Sequence, residues 1–174
     1  MDLVDQFELA ATAAAATVER VPRDSGRIAT VVSRVARDAR NIAIAEPATL
    51  PRELFEGCKQ LPGICTSRTK EALAALEVGI SEAFAGVART GSVCICVDDD
   101  YAGYTSLLAR IHVAVLAANS IVERPSDLFR PEGPGREGLR RNFVFVTGPS
   151  ATADMGPLVR GVHGPHHLHI IILE

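Results

Sequence analysis

Side chains able to do chemistry gather at three places in this sequence. The first is Thr147-Gly148-Pro149-Ser150-Ala151-Thr152-Ala153-Asp154, directly after the apolar run Phe143-Val144-Phe145-Val146. Open α/β sheets bind ligands at the ends of their parallel strands, which is where this turn would fall. Gly148 allows the backbone to turn sharply and Pro149 fixes it. Ser150 or Thr152 could then cap a short helix whose free N–H groups attract an anion. A plainer account is that Ser150 only caps the helix while Asp154 satisfies its N-terminal donors. The second place is Arg89-Thr90-Gly91-Ser92. Its guanidinium suits a carboxylate or phosphate, and a tight hairpin with a surface arginine explains the same residues.

The third place is Gly161-Val162-His163-Gly164-Pro165-His166-His167-Leu168-His169, which holds every histidine except His112. Such density raises the question of a metal. In a strand beginning near His166, however, His167 and His169 share one face and His166 points to the other, with no acidic or thiol ligand nearby in sequence. No metal site is therefore expected. His163, with Gly164 in a glycine-rich turn, is the histidine placed to face a ligand. His112 lies inside an apolar run and reads as a core histidine satisfied by a backbone partner.

Other chemistries lack their marks. There is no nucleophile elbow, phosphate-binding P-loop, dinucleotide fingerprint or zincin motif, so no reaction type follows from motifs. Cys58, Cys65, Cys94 and Cys96 show no metal or cluster spacing and read as reduced, structural residues. A net charge of −3 without a basic block excludes the electrostatic footprint of a nucleic-acid binder. The amino terminus is acidic where a secretory signal would be basic, and no apolar run approaches the roughly 20 residues needed to span a bilayer. A cytoplasmic protein without a membrane span is expected, and a homo-oligomer is compatible with these features.

The elements that must position these residues follow from periodicity. With 174 residues, 47% of them hydrophobic, a single domain over 1–174 with one core is expected. Residues 1–40 form a helical segment, with one helix over 3–20 and a second over 26–39 capped by Ser25. Residues 41–174 form the core that contains the sheet. There, 41–45 reads as a strand, 51–60 as a helix, 63–65 as a short strand and 70–76 as a helix, the start of a βαβ alternation. Short hairpin-like strands follow at 78–80, 86–88 and 93–97. Asp98-Asp99-Asp100 reads as a solvated turn and 106–110 as a short helix. The apolar runs 111–116 and 143–146 suit central strands covered on both faces, 130–138 is an exposed, mobile loop, and 167–173 is the last strand. The fold class is α/β, Rossmann-like, with a mostly parallel sheet flanked by helices.

Three blocks, 82–93, 104–116 and 143–173, together resemble the lactate-utilisation (LUD) domain family, in particular its protein C branch. The clearest motifs are Phe145-Val146-Thr147-Gly148-Pro149-Ser150 with Thr152-Ala153-Asp154, then Leu158-Val159-Arg160-Gly161-Val162-His163-Gly164-Pro165, and finally Leu168-His169-Ile170-Ile171-Ile172-Leu173. The resemblance implies the fold group of glucosamine-phosphate isomerase, ribose-phosphate isomerase and CoA-transferase. It also implies a part in oxidation of L-lactate to pyruvate beside iron–sulfur partner proteins. This chain, lacking their cysteine motifs, would be the component without a cluster or cofactor of its own, binding a partner or a small anionic ligand. Two alternatives are an isomerase or CoA-transferase-like enzyme, which needs a carboxylate base, and a regulatory domain that senses a small carboxylate. The sequence departs from the family pattern at Phe84, Arg89 and Met155-Gly156, where three family carboxylates are replaced.

Overall fold

The computed structural model describes residues 1–98, 100–133, 142–154 and 156–174. Helix α1 (Leu3–Ala13) leads into β1 (Thr17–Val21), α2 (Ser25–Val35) and β2 (Ile42–Ile44). A 3-10 turn (Arg52–Phe55), α3 (Glu56–Lys59) and α4 (Lys70–Ala74) precede β3 (Val78–Ala83), β4 (Ala85–Val87) and β5 (Ser92–Cys96). After α5 (Asp100–Leu107) come β6 (Ile111–Ala117), β7 (Ile121–Val122), β8 (Phe143–Val146), β9 (Ala151–Thr152), β10 (Val159–Arg160) and β11 (His167–Leu173).

Five strands form a parallel sheet in the order β1-β11-β6-β3-β2. β6 and β11 sit in its middle because both are apolar along nearly their whole length, and a strand covered on both faces needs that. One face packs on α2 and α3 through Ile28, Val32, Phe55, Val113 and Ile171, all fully or almost fully buried. The other face packs on α1 and β5 through Phe7, Ala11, Val93, Leu116 and Ile170. Burial of Phe7 alone is worth about 2–3 kcal/mol, and its i, i+4 partner Ala11 is buried on the same helical face. Asp2 caps α1, accepting from the Asp5 N–H at 2.8 Å, and Arg20 ties the helix to β1 through Asp5 and Glu8, each at 2.8 Å. Four further strands form a mixed sheet in the order β7-β4-β5-β8, laid over the second face of the parallel one.

The α/β class with a mostly parallel sheet holds, and the strand over 167–173 has the expected bounds. Several elements differ from the sequence expectation. The first helix stops at Ala13, where Ala15 takes a φ of +68°, and residues 17–21 become an edge strand paired with β11. The second helix is capped by Asp24, whose side chain accepts from the Arg27 N–H at 2.8 Å, while the Ser25 hydroxyl accepts instead from the Gly57 N–H at 2.7 Å. That helix ends at Val35, before Asp38 at φ +67°. Residues 63–65 contribute only a single bridge between Ile64 and Ile42.

Residues 78–83 are an interior strand of the parallel sheet; only β4 and β5 form the expected hairpin. The helix expected over 106–110 spans Asp100–Leu107, so the acidic turn ends in that helix, and Asp98 accepts from the Asn142 N–H at 2.6 Å. Phe143–Val146 is not a central parallel strand but the edge of the mixed sheet. Phe143 and Val146 pack on different core clusters while Val144 and Phe145 stay over 40% exposed, at 42% and 43%. Of the loop expected over 130–138, residues 134–138 lie outside the described residues.

Candidate functional site

The two hydroxyl-rich glycine turns meet. β5 and β8 pair so that Val93 faces Val146, which brings Ser92 beside Thr147. The Ser92 hydroxyl lies 2.7 Å from that of Thr90 and 2.6 Å from that of Thr147. Gly91 and Gly148 both have φ +66°, and a Cβ on either would overlap the backbone at the end of α1, at Ala11 and Ala14 respectively. Both glycines are therefore required for close approach to α1 in a left-handed conformation that side chains resist. Arg89 is exposed at the start of the turn, with its N–H donating to the Glu123 carbonyl at 3.0 Å, so it is a surface residue of a tight hairpin.

The second half of the first motif turns toward the histidine-rich segment. The Ser150 N–H donates to the Pro165 carbonyl, and the Gly161 N–H donates to the Ser150 carbonyl, both at 2.9 Å. Gly164 packs against Ser150. No helix follows Ser150: Ala151–Thr152 is β9, paired antiparallel with β10. The anion site built from helix N–H groups is thus corrected to a strand connection, because these backbone groups are engaged in pairing. Thr152 and Asp154 line a side pocket of about 270 Å³ together with Val162 and His163, and Asp154 is exposed.

Between these segments and α5 lies a cleft of about 760 Å³. Tyr104 and Leu107 of α5 form one wall, and Val144, Phe145 and Val146 another. The turn from Thr147 to Ser150 and the segment His163-Gly164-Pro165 close the rim, and His112 and Leu168 lie in the floor. The cleft therefore brings together Thr147, Gly148, Pro149, Ser150, His163 and Gly164. It leaves out Arg89, Thr90, Gly91, Ser92, Thr152 and Asp154. Its described lining carries no Asp, Glu, Lys or Arg.

Two buried polar groups lie on neighbouring strands: His112, expected in the core, and Glu82, which sequence reasoning missed. His112 is fully buried, with Nε2 2.7 Å from the Ser81 hydroxyl and Nδ1 without a protein partner. The expected backbone partner is thus a serine side chain, and burial pulls the imidazole pKa down to about 4, so the ring is neutral near pH 7. Glu82, only 7% exposed, accepts from the N–H groups of Ala48, Thr49 and Leu50 and from the Thr49 hydroxyl. It holds the loop after β2. The available signal was Ser81-Glu82 interrupting an otherwise apolar strand.

The remaining histidines behave differently. Thr17 bonds both His167 Nε2, at 3.0 Å, and His169 Nδ1, at 2.6 Å, so the two rings do share a face. Among the described residues no three His, Cys, Asp or Glu side chains are placed to hold a metal. None of the four cysteines is in a disulfide, and burial pushes the Cys58 and Cys94 thiols up to about 11 and about 12. A second groove, of about 830 Å³, runs along the end of α2 past Arg34, Arg37 and Arg40. It contains none of the motif residues, and arginines there complement the carbonyl end of the helix. Phe84 is 4% exposed and meets Phe143 edge to face with ring centroids 5.5 Å apart.

A parallel five-stranded α/β sheet overlaid by a mixed sheet, with a cleft between the overlay and α5, defines the class of protein. The family model of the LUD domain matches residues 58–173, and the chain belongs to that family. It is 27% identical over 147 residues to an uncharacterised protein of Neisseria meningitidis serogroup B, covering 84% of this chain and 58% of that one. It is 34% identical over 92 residues to lactate utilization protein C of Bacillus subtilis, covering 51% of this chain and 38% of that one. The chain thus spans roughly two fifths to three fifths of the length of these curated relatives. A crystal structure of a DUF162 family protein from Deinococcus radiodurans shares the fold, with a TM-score of 0.69 at 17% identity, covering 99% of this chain and 96% of that one. Among the described residues no helix is long and apolar enough to cross a membrane.

Proposed function

We propose that this chain is a component of a cytoplasmic lactate-utilisation system that oxidises L-lactate to pyruvate, working beside iron–sulfur proteins without a cluster or cofactor of its own. Its contribution is binding, at the cleft between α5 and the mixed sheet. One observation carries this reading: the segments 147–150 and 163–165, both from motifs of the family resemblance, close the rim of one cleft and are fastened through Ser150. Membership of the LUD family and likeness to proteins named lactate utilization protein C support the system.

An isomerase or CoA-transferase chemistry is less well supported. It needs a carboxylate base, and the described lining of the cleft has none, while Glu82 is committed to the backbone of residues 48–50. The test is affinity purification of the tagged chain from its own organism grown on L-lactate. Reproducible recovery of iron–sulfur proteins, with lactate-dependent electron transfer by the assembled complex, is the expected result. Recovery of the chain alone, with turnover of a phosphosugar or CoA ester by the purified protein, would overturn it.

A further inference from the structure

Resting on the reading that this chain works beside partner proteins, we infer that the basic trough at the end of α2 docks a short acidic segment of a partner protein, in which glutamate or aspartate alternates with apolar residues. The trough has two parts. The larger, of about 830 Å³, carries Arg34, Arg37 and Arg40, and the smaller, of about 300 Å³, carries Arg37, Arg110 and His166. They are continuous, because residues 36–39 line both. The basic groups therefore follow one another along the trough, from Arg34 and Arg40 through Arg37 to Arg110 and His166. A single small anion touches one part of such a row, whereas an extended chain with carboxylates at intervals engages all of it.

Helix-end electrostatics account for only one of these arginines. Arg34 lies in the last turn of α2 and pairs with Glu19. Arg37 and Arg40 come after the helix and Arg110 immediately before β6; all three are exposed and, among the described residues, in no ion pair. Two acids share the lining. The Glu77 carboxylate accepts from the Arg40 and Asn41 N–H groups, and Asp38 is exposed at the bend after α2. The basic groups outnumber them. Leu61, Pro62 and Ile111, none of them buried, supply apolar surface along the same row, which suits peptide side chains better than a phosphate chain. The wall is fixed by Gly63, at φ +88°, where a Cβ would sit 2.6 Å from the Ala39 carbonyl. With a net charge of −3 the chain as a whole repels a long polyanion, so a short acidic stretch fits the trough and a nucleic acid does not. His166 directly follows the rim segment 163–165, which places an occupant of the trough beside the cleft.

The experiment uses the purified full chain with a short dye-labelled peptide of glutamate and interspersed leucine. A second peptide carries glutamine in place of glutamate, and inorganic triphosphate serves as a competitor. Fluorescence anisotropy is expected to show binding of the glutamate peptide at low salt. Raising the ionic strength from about 0.02 to about 0.2 M should weaken it about fivefold or more, because exposed charge pairs are screened. The glutamine peptide should be silent, and triphosphate should compete at least about tenfold less well than unlabelled glutamate peptide. Arg37→Glu and Arg110→Glu, checked for folding by melting temperature, should each weaken binding about threefold or more. Arg89→Glu, the same charge change at an exposed site outside the trough, should leave binding unchanged.

No binding of the glutamate peptide up to about 1 mM would overturn the inference. So would equal binding of the glutamine peptide, an equal loss from Arg89→Glu, or triphosphate competing as well as the peptide, the result expected of a small-anion site. Recovery of iron–sulfur proteins with the tagged chain is a separate readout. Recovery without peptide binding removes the docking inference alone, and peptide binding without recovery removes the lactate-utilisation reading alone.

Discussion

Replacing Glu82 by glutamine isolates a carboxylate buried in the parallel sheet, 7% exposed on β3. Its two oxygens receive the N–H groups of Ala48, Thr49 and Leu50, the last at 2.7 Å, and the Thr49 hydroxyl. A glutamine keeps one acceptor oxygen but turns an NH₂ toward donors, leaving at least one N–H unpaired. Hydrogen bonds to a charged group contribute about 1.5–3 kcal/mol each, and an orphaned buried donor costs a further 1–3 kcal/mol or so. With partial relaxation of the loop, the expected loss is about 3–5 kcal/mol. That is a large share of the roughly 5–15 kcal/mol that holds a domain folded. Urea unfolding of both proteins measures it as a shift in midpoint at unchanged slope. Amide exchange should accelerate at residues 48–50 before it does in β6 or β11. A loss below about 1 kcal/mol, or unchanged protection of that loop, would refute the view that Glu82 is there to hold the loop.

Other consequences are open to simple measurements. Gly148→Ala should cost about 3 kcal/mol, because it combines a φ of +66° with overlap at the Ala14 carbonyl; thermal unfolding would report it. Acidification should destabilise the fold through His112, whose folded pKa is about 4 against an unfolded value of 6.5. The unfolded state gains the proton first, so stability is full above about pH 6.5 and falls as pH drops toward 4, by about 3 kcal/mol in all; pH-dependent urea midpoints for wild type and His112→Phe should separate over that window. Cys58 and Cys94 should be unreactive toward a thiol reagent at pH 7 and become titratable only on unfolding, since burial holds both thiols protonated.

The fold was readable where local signals agreed with tertiary demands. The run His167-Leu168-His169-Ile170-Ile171-Ile172-Leu173 is apolar because it sits between β1 and β6, and periodicity found its bounds. The same logic misplaced Phe143–Val146, since an apolar edge strand beside a cleft has the composition of a central strand. Periodicity carries the first helix through residues 17–20 because no glycine or proline punctuates the break; the turn is made by an alanine at positive φ, and pairing with β11 decides the rest. At the site, the glycine turns were legible as turns, yet their purpose was not. Gly91 and Gly148 are set by contact with α1, far away in sequence. The pairing of Ser81 with His112 depends on strand order, which periodicity does not specify.

The proposed role in lactate oxidation rests on the cleft bounded by residues 144–150 and 163–165. The direct measurement is growth on L-lactate as sole carbon source by the encoding organism after deletion of this chain, with wild type or Phe145→Asp supplied back at equal, folded levels. Loss of growth on deletion, restoration by wild type and failure of Phe145→Asp are expected. Growth unaffected by the deletion, or restored equally by both proteins, would contradict it.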